Sequence, residues 1–334
     1  MDLPTEPPLQ GALDEPEPLR AGAGVGARDA RALLEVTGAD RVRFLHGYLT
    51  CDVKGLAVGR VVYGFFTARD GKLLADAWVG ALGEALVLSL PAARAEAIVE
   101  HLSRYVLTDR VAFRRCDELA ALHLLGPAAG ALLLACGLAA PERDGIETLA
   151  RGAGSWIVLR RDLGAVAGFE LWIDAGERET AAATLAAGGA APVEPGSFET
   201  LRVEEGVPRF GVDFDVEHFP QETGLEEQAV SYSKGCYLGQ EVVARIHYRG
   251  GVQRELHALC FPGPPPEPGT AVLHDGREAG RVTSVARSLR YGAIGLAVLH
   301  RRVGEPPGEL TLAGGGVARL VMRPFAGVTD LLAD

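Results

Sequence analysis

The sequence predicts an α+β protein in which two units of antiparallel sheet flanked by helices are followed by a separate all-β module. Three observations carry this. Hairpin signals alternate with single helical segments twice over before Gly250-Gly251. Beyond that pair, helix signals nearly vanish. The chain has 334 residues, more than a typical single domain, and at 48% hydrophobic and 23% charged it can bury a sizeable core.

The chain opens on an acidic, proline-rich stretch, so residues 1–26 are expected to be a disordered tail. Residues 27–250 hold the two α+β units. ALLEVTG (32–38) reads as a strand, and Asp40 can cap a helix through Tyr48 with Val42, Leu45 and Leu49 on one face. Residues 61–79 are two apolar runs joined by Asp70-Gly71, a strong hairpin signal. Residues 84–90 form a further strand. Ser89 and Pro91 then announce a helix whose stripe is Ala95, Ile98, Val99, Leu102 and Val106. The second unit repeats the pattern: a strand at 121–126, a helix from Pro127 through Leu138, a hairpin over 155–174, and an alanine-rich helix from Asp174 to near Gly188. From 251 to 334 come short strands separated by PGPPPEPG, Asp275-Gly276 and EPPGE, the punctuation of a small antiparallel barrel or sandwich.

The net charge of −11 argues against a general nucleic-acid or membrane-surface binder. No apolar run reaches the ~18 residues of a membrane span, and the N-terminus lacks the basic start and apolar stretch of a secretory signal. A soluble, cytoplasmic protein is expected. The five cysteines (Cys51, Cys116, Cys136, Cys236, Cys260) include no CxxC pair, which predicts reduced thiols and no zinc ribbon or cluster site.

The chemistry concentrates in residues 201–250, where Arg202, Glu204, Asp213, Asp215, His218, Glu222, Lys234, Gln240, Glu241, Arg245, His247 and Arg249 fall among glycines. Within it, 233–241 reads Ser-Lys-Gly-Cys-Tyr-Leu-Gly-Gln-Glu. An ammonium near a thiol stabilises the thiolate, the reactive form of cysteine. Only three of the 33 basic residues are lysines (Lys54, Lys72 and Lys234), so a compact ammonium beside Cys236 stands out. Asp213 and Asp215 have the spacing of a magnesium pair but also of a solvated turn. His218, Cys236 and His247 have no spacing that imposes a metal site. Cys236 with a histidine could be a hydrolase pair, yet no local protease signature accompanies it. Arg245 and Arg249 would share a helix face and could grip carboxylates, or be an ordinary exposed basic face.

The run Lys234–Glu241 resembles the K-G-C-Y-x-G-Q-E signature of the YgfZ-type folate-binding proteins, relatives of the aminomethyltransferase (T-protein) of the glycine cleavage system. Flanking segments agree: Leu201–Gly206 resembles L-R-x-E-x-G, Pro220–Leu225 resembles P-x-E-x-G-L, Phe44-Leu45 with Leu49–Val53 resembles F-L…L-T-x-D-V, and Gly280–Ser284 and Ile294–Ala297 resemble the G-x-V-T-S and I-G-L-A of the family's barrel. The likeness covers nearly all of residues 28–300.

The resemblance implies a three-lobed ring, two α+β lobes and a C-terminal barrel around a central hole for tetrahydrofolate or a one-carbon derivative. It also implies a link to iron–sulfur enzymes or their assembly factors, and through one such enzyme to tRNA modification. On this reading Cys236 is the reacting thiol or a transient ligand, and Lys234 holds it partly as thiolate. Glu204 and Glu222 read the pterin edge, Arg202, Arg245 or Arg249 binds the glutamate tail, and Tyr237, Gln240 and Asp76 complete the folate site. The T-protein's paired acids correspond here to Ala75 and Asp76, a departure that argues against true aminomethyl transfer. That transfer stays as the competing reading, and a folate-binding module that only recruits partners is a third.

Overall fold

A computed structural model describes residues 16–151, 154–304 and 308–325. Residues 1–15 of the expected tail, 305–307 of the EPPGE turn and 326–334 of the last module lie outside the described residues. Between 16 and 26 the expectation of disorder is corrected. Residues Glu17–Ala21 form a helix, α1, and Gly24–Gly26 a strand, β1. Leu19 is fully buried with Leu125, Leu163, Phe198 and Leu201, and that burial holds the segment down. A glycine-rich strand gives no side-chain pattern, so β1 left no trace in the sequence.

The first lobe comprises β2 (Arg31–Thr37), α2 (Arg41–His46), β3 (Val61–Thr67), β4 (Leu73–Leu82), β5 (Ala85–Pro91), α3 (Ala95–Ser103) and β6 (Ala112–Arg115). Its sheet is antiparallel, in the order β3-β4-β5-β2-β6. The Asp70-Gly71 hairpin forms, with Gly71 at φ +82°, a conformation glycine adopts without cost. Helix α3 buries Ala95, Ile98 and Leu102 of the predicted stripe. Asp40 precedes α2 but makes no side-chain cap. Its carboxylate instead accepts the Arg110 backbone N–H at 2.9 Å.

The second lobe comprises β7 (Leu119–Leu125), α4 (Ala129–Ala135), β8 (Ile146–Arg151), β9 (Gly154–Arg160), β10 (Gly168–Asp174), α5 (Arg178–Ala187) and β11 (Ala191–Pro192). Its sheet runs β11-β1-β7-β10-β9-β8, so the N-terminal strand sits inside it, antiparallel to β7 and parallel to β11. The two sheets pack through one shared cluster, Leu33, Val61, Val87, Ile146, Leu159 and Trp172.

Helices α6 (Pro195–Glu204), α7 (Glu226–Ala229) and α8 (Gln240–Arg249) lie in the connection to the last module. That module is β12 (Arg254–Phe261), β13 (Ala271–His274), β14 (Arg277–Ser288), β15 (Gly292–His300), β16 (Gly308–Leu312) and β17 (Val317–Val321). It closes into a barrel in the order β12-β15-β14-β13-β16-β17, with β17 returning to β12. Closure leaves no free sheet edge. No helix among the described residues is long and apolar enough to cross a membrane.

Candidate functional site

Both lobes, the start of the connection and the barrel line one cavity of about 2480 Å³, above the usual range of roughly 300–1,000 Å³ for a small-molecule pocket. In an acidic chain its walls are basic: eleven arginines line it against seven carboxylates. Strand β4 alternates faces, so Ala75 is fully buried in the first lobe's core while Asp76 turns to the cavity. Asp76 Oδ2 accepts from Arg31 Nη1 at 3.2 Å and from the Tyr63 hydroxyl at 3.1 Å. Its Oδ1 is buried and has no partner. A buried acceptor left unpaired costs about 1–3 kcal/mol, so an incoming donor is favoured there. Tyr63 and Trp78, ring centroids 5.0 Å apart, line the cavity beside it.

A polar network joins the lobes behind this wall. Arg31 Nε donates to Ser89 Oγ at 2.9 Å, and Ser89 Oγ donates to Glu170 Oε1 at 2.6 Å. Arg161 Nη1 donates to Glu170 Oε2 at 2.5 Å, and its Nη2 to Asp29 Oδ2 at 2.7 Å. Burial alone would raise the Glu170 carboxyl, but Arg161 outweighs it and holds the group well below the usual carboxylate range. Burial, reinforced by Arg161, pushes the Arg28 guanidinium down to about 9, and its Nη1 has no partner. The cavity therefore offers one unpaired acceptor and one underused cation.

Most of the predicted site residues are structural ties. Arg202 lines the cavity, but its donors go to Asp213 at 2.7 Å, Glu199 at 2.9 Å, the Val207 carbonyl at 2.7 Å and Ser284 at 2.6 Å. That corrects its assignment to a glutamate tail, because no N–H is left over. Glu204 is corrected likewise. It is buried between Arg20 of α1 and Ser288 of β14, and does not line the cavity. Glu222 accepts the Phe219 N–H at 2.9 Å and Arg254 Nε at 2.9 Å, which pins the connection to the barrel. Arg245 and Arg249 do share α8, but both are exposed and outside the cavity, Arg245 pairing with Glu241 at 3.1 Å. Asp213 accepts from Arg202, Thr283 and Ser284, while Asp215 pairs with His218 at 2.8 Å. His247 meets Glu226 at 2.7 Å. No group of three or more potential metal ligands occurs among the described residues.

The signature loop sits elsewhere, against the turn after α2. Cys236 is exposed and does not line the cavity. Lys234 Nζ donates to the carbonyls of His46 at 2.6 Å, Leu49 at 2.5 Å and Cys51 at 2.9 Å. All three donors are thereby spent, which corrects the expectation that this ammonium holds the Cys236 thiolate. Burial pushes Lys234 down to about 8. Tyr237 is buried with its ring under Lys234 Nζ, at 5.0 Å, and its hydroxyl is unpartnered. Gln240 Oε1 accepts the Tyr237 N–H at 3.2 Å. Neither lines the cavity. Gly239, at φ +84°, starts α8, and a Cβ there would stand 2.3 Å from the Ala68 carbonyl, so only glycine fits.

Of the predicted folate residues, then, the cavity holds Asp76 and Arg202. Sequence reasoning missed Arg28, Asp29, Arg31, Arg161 and Glu170. One signal was available: Glu170 interrupts the apolar run Phe169–Ile173, and a charge in the middle of a buried strand demands partners.

Comparison with known proteins agrees with this architecture. Residues 8–234 match the family described as the GCVT N-terminal domain. The chain is 28% identical to the tRNA-modifying protein YgfZ of Vibrio vulnificus, over 93% of this chain and 94% of that one. It is 31% identical to an aminomethyltransferase of Rubrobacter xylanophilus, over 96% and 88%. A chloroplastic protein of Arabidopsis thaliana named as a transferase is 28% identical over 75% of this chain, which spans 59% of that longer protein. The crystal structure of the glycine cleavage system aminomethyltransferase T from Bartonella henselae superposes with a TM-score of 0.84 at 21% identity, covering 94% of this chain and 89% of that one.

Proposed function

Since the chain belongs to the GCVT N-terminal domain family, we propose that it is a cytoplasmic, tetrahydrofolate-binding accessory protein for iron–sulfur enzymes or their assembly factors, with Cys236 as its reacting thiol. The observation that carries the folate reading is the unpartnered, buried Oδ1 of Asp76 on the wall of an arginine-lined cavity. A reduced pterin offers ring N–H and amine donors, which suit a free carboxylate oxygen. Its glutamate tail is anionic, which suits Arg28 and the other cavity arginines. Tetrahydrofolate, when bound, would supply ring nitrogens able to carry a one-carbon unit. The chain's own part is to hold that ligand: Arg31 and Tyr63 fix the Asp76 carboxylate, and Tyr63 and Trp78 offer ring faces. Any effect on tRNA modification, the activity in the YgfZ relative's name, is then indirect, because a net charge of −11 does not favour RNA.

Titration calorimetry with tetrahydrofolate tests the reading. Wild type should bind, and Asp76→Asn should weaken binding about tenfold, the ~1.4 kcal/mol expected of one good hydrogen bond. Wild type that fails to bind ends the folate claim. Cys236→Ala should bind normally yet fail to support iron–sulfur enzyme activity in cells, and full support by that variant ends the thiol claim.

Asp76 also favours a second reading, transfer of an aminomethyl unit to folate. The substitution at Ala75 does not weigh against it, since that side chain is in the core. This reading expects folate-dependent ammonia release from an aminomethyl donor, lost in Asp76→Asn.

A further inference from the structure

Behind the cavity wall, one buried polar side chain belongs neither to the ligand site nor to the ion pairs. Ser89 is the single polar residue of β5 and is 1% exposed, between the fully buried Leu88 and Leu90. A hydroxyl taken out of water there needs partners. Ser89 grips one edge of the Arg31 guanidinium twice. Arg31 Nε donates to Ser89 Oγ at 2.9 Å, and Nη2 donates to the Ser89 carbonyl at 2.5 Å. Two bonds to one edge of a planar group fix its plane. Only Nη1 is then turned to Asp76, donating to Oδ2 at 3.2 Å. The polarity of these bonds is forced. A guanidinium only donates, so the one proton of the Ser89 hydroxyl goes on to Glu170 Oε1, at 2.6 Å. Glu170, in the second lobe, is itself held, with Trp172 Nε1 on Oε1 at 2.6 Å and Arg161 Nη1 on Oε2 at 2.5 Å.

An arginine beside an aspartate ordinarily takes both carboxylate oxygens in a two-pronged pair. Here it takes one, and Asp76 Oδ1 stays without a partner. We propose that Ser89 is a positioning residue for the ligand site: by occupying Nε and Nη2 of Arg31 it denies that arginine the second oxygen of Asp76, and so keeps Oδ1 open to the N–H donors of a bound pterin. The inference rests on the tetrahydrofolate reading of the cavity. Ser89 touches no ligand and acts only through Arg31 and Asp76. Its own orientation is set from the other lobe, by Glu170, so the acceptor presented by the first sheet depends on a carboxylate in the second. Ser89→Ala removes the acceptor of Nε and leaves the carbonyl as a single anchor. The guanidinium can swing about that anchor and close on both oxygens of Asp76.

The test is a double-mutant cycle at pH 7 on the full chain, with tetrahydrofolate affinity read by titration calorimetry for wild type, Ser89→Ala, Asp76→Asn and the double variant. Ser89→Ala should bind about fivefold more weakly than wild type, the worth of one neutral hydrogen bond. In the Asp76→Asn background the same change should cost less than about twofold, because the carboxylate that Arg31 would close upon is gone. A serine with only a packing role lowers affinity by one factor in both backgrounds, and that result overturns the proposal. Ser89→Ala binding within about twofold of wild type overturns it as well. In either case wild-type binding leaves the tetrahydrofolate reading standing. Wild type that does not bind ends that reading and this inference with it. Circular dichroism reports whether each variant is folded. Should Ser89→Ala not fold, Ser89→Cys, close in volume and a weak acceptor, takes its place under the same two criteria.

Discussion

Replacing Lys234 by Met tests the carbonyl clamp most sharply. The ammonium makes three bonds, to the carbonyls of residues 46, 49 and 51. Each bond from a charged donor contributes about 1.5–3 kcal/mol, so the gross figure is about 4.5–9 kcal/mol. Two effects reduce it. Burying the charge is itself unfavourable, as its pKa of about 8 against an ordinary 10.5 indicates. The residue is also only partly buried, so water screens the site and can take over some of the freed carbonyls. A net loss of about 2–4 kcal/mol remains for Lys234→Met. Lys234→Arg should lose a similar amount, because a planar guanidinium does not converge on three carbonyls as a compact ammonium does. The assay is guanidinium unfolding at pH 7, followed by Trp fluorescence and circular dichroism together. A loss under about 0.5 kcal/mol in both variants would refute the clamp. If Lys234→Met instead kept its stability and lost Cys236 reactivity, the lysine would serve the thiol after all.

Other consequences can be measured directly. Leu19→Ala should destabilise by about 2–5 kcal/mol, as for a core leucine, whereas a disordered tail would give no change in the unfolding midpoint. Arg202 and Arg209 outweigh burial and hold the Glu199 carboxyl down to about 2, against an ordinary 4.5. Its stabilising contribution is therefore complete above pH 4.5 and lost as pH falls towards 2, so the melting temperature should drop over that window. Glu199→Gln should start lower at pH 7 and fall less steeply, and parallel curves would contradict the pairing. Arg245→Ala and Arg249→Ala should leave tetrahydrofolate affinity within about twofold of wild type, and a larger loss by calorimetry would return them to the ligand.

The barrel and the hairpins were legible because their signals are local. Asp70-Gly71, Asp275-Gly276 and the proline runs specify turns within a few residues, and the apolar stripe of α3 needs no partner to be read. Helix α6 was not legible. It is buried on nearly every side, and Arg202 and Glu204 are polar members of a core, so the pattern resembled a solvated loop. The same feature misdirected the site. Ionisable density over 201–250 marks where the connection is fastened to the barrel, through Asp213 to Thr283 and Ser284 and through Glu222 to Arg254. The cavity's own polar groups come from residues as far apart as Asp29 and Arg161, a juxtaposition only the folded sheets produce. Asp76 was singled out through the resemblance over residues 71–76, but the commitment of Lys234 to three carbonyls depends on the turn at 46–51.

The position of β1 has a consequence for synthesis. Its neighbours in the sheet, β7 and β11, begin at Leu119 and Ala191. At a ribosomal rate of roughly 5–20 residues per second, residues 24–26 wait about 5–20 s before the first of these emerges. During that interval the whole first lobe can form, and the leading segment remains an unclaimed edge, open to holdase chaperones or to another nascent copy. The second lobe is thus completed by a strand synthesised well before the rest of its sheet, and a ribosome-bound chain stalled after residue 115 has left the exit tunnel but before residue 119 has should expose residues 24–26 to protease while residues 31–115 resist.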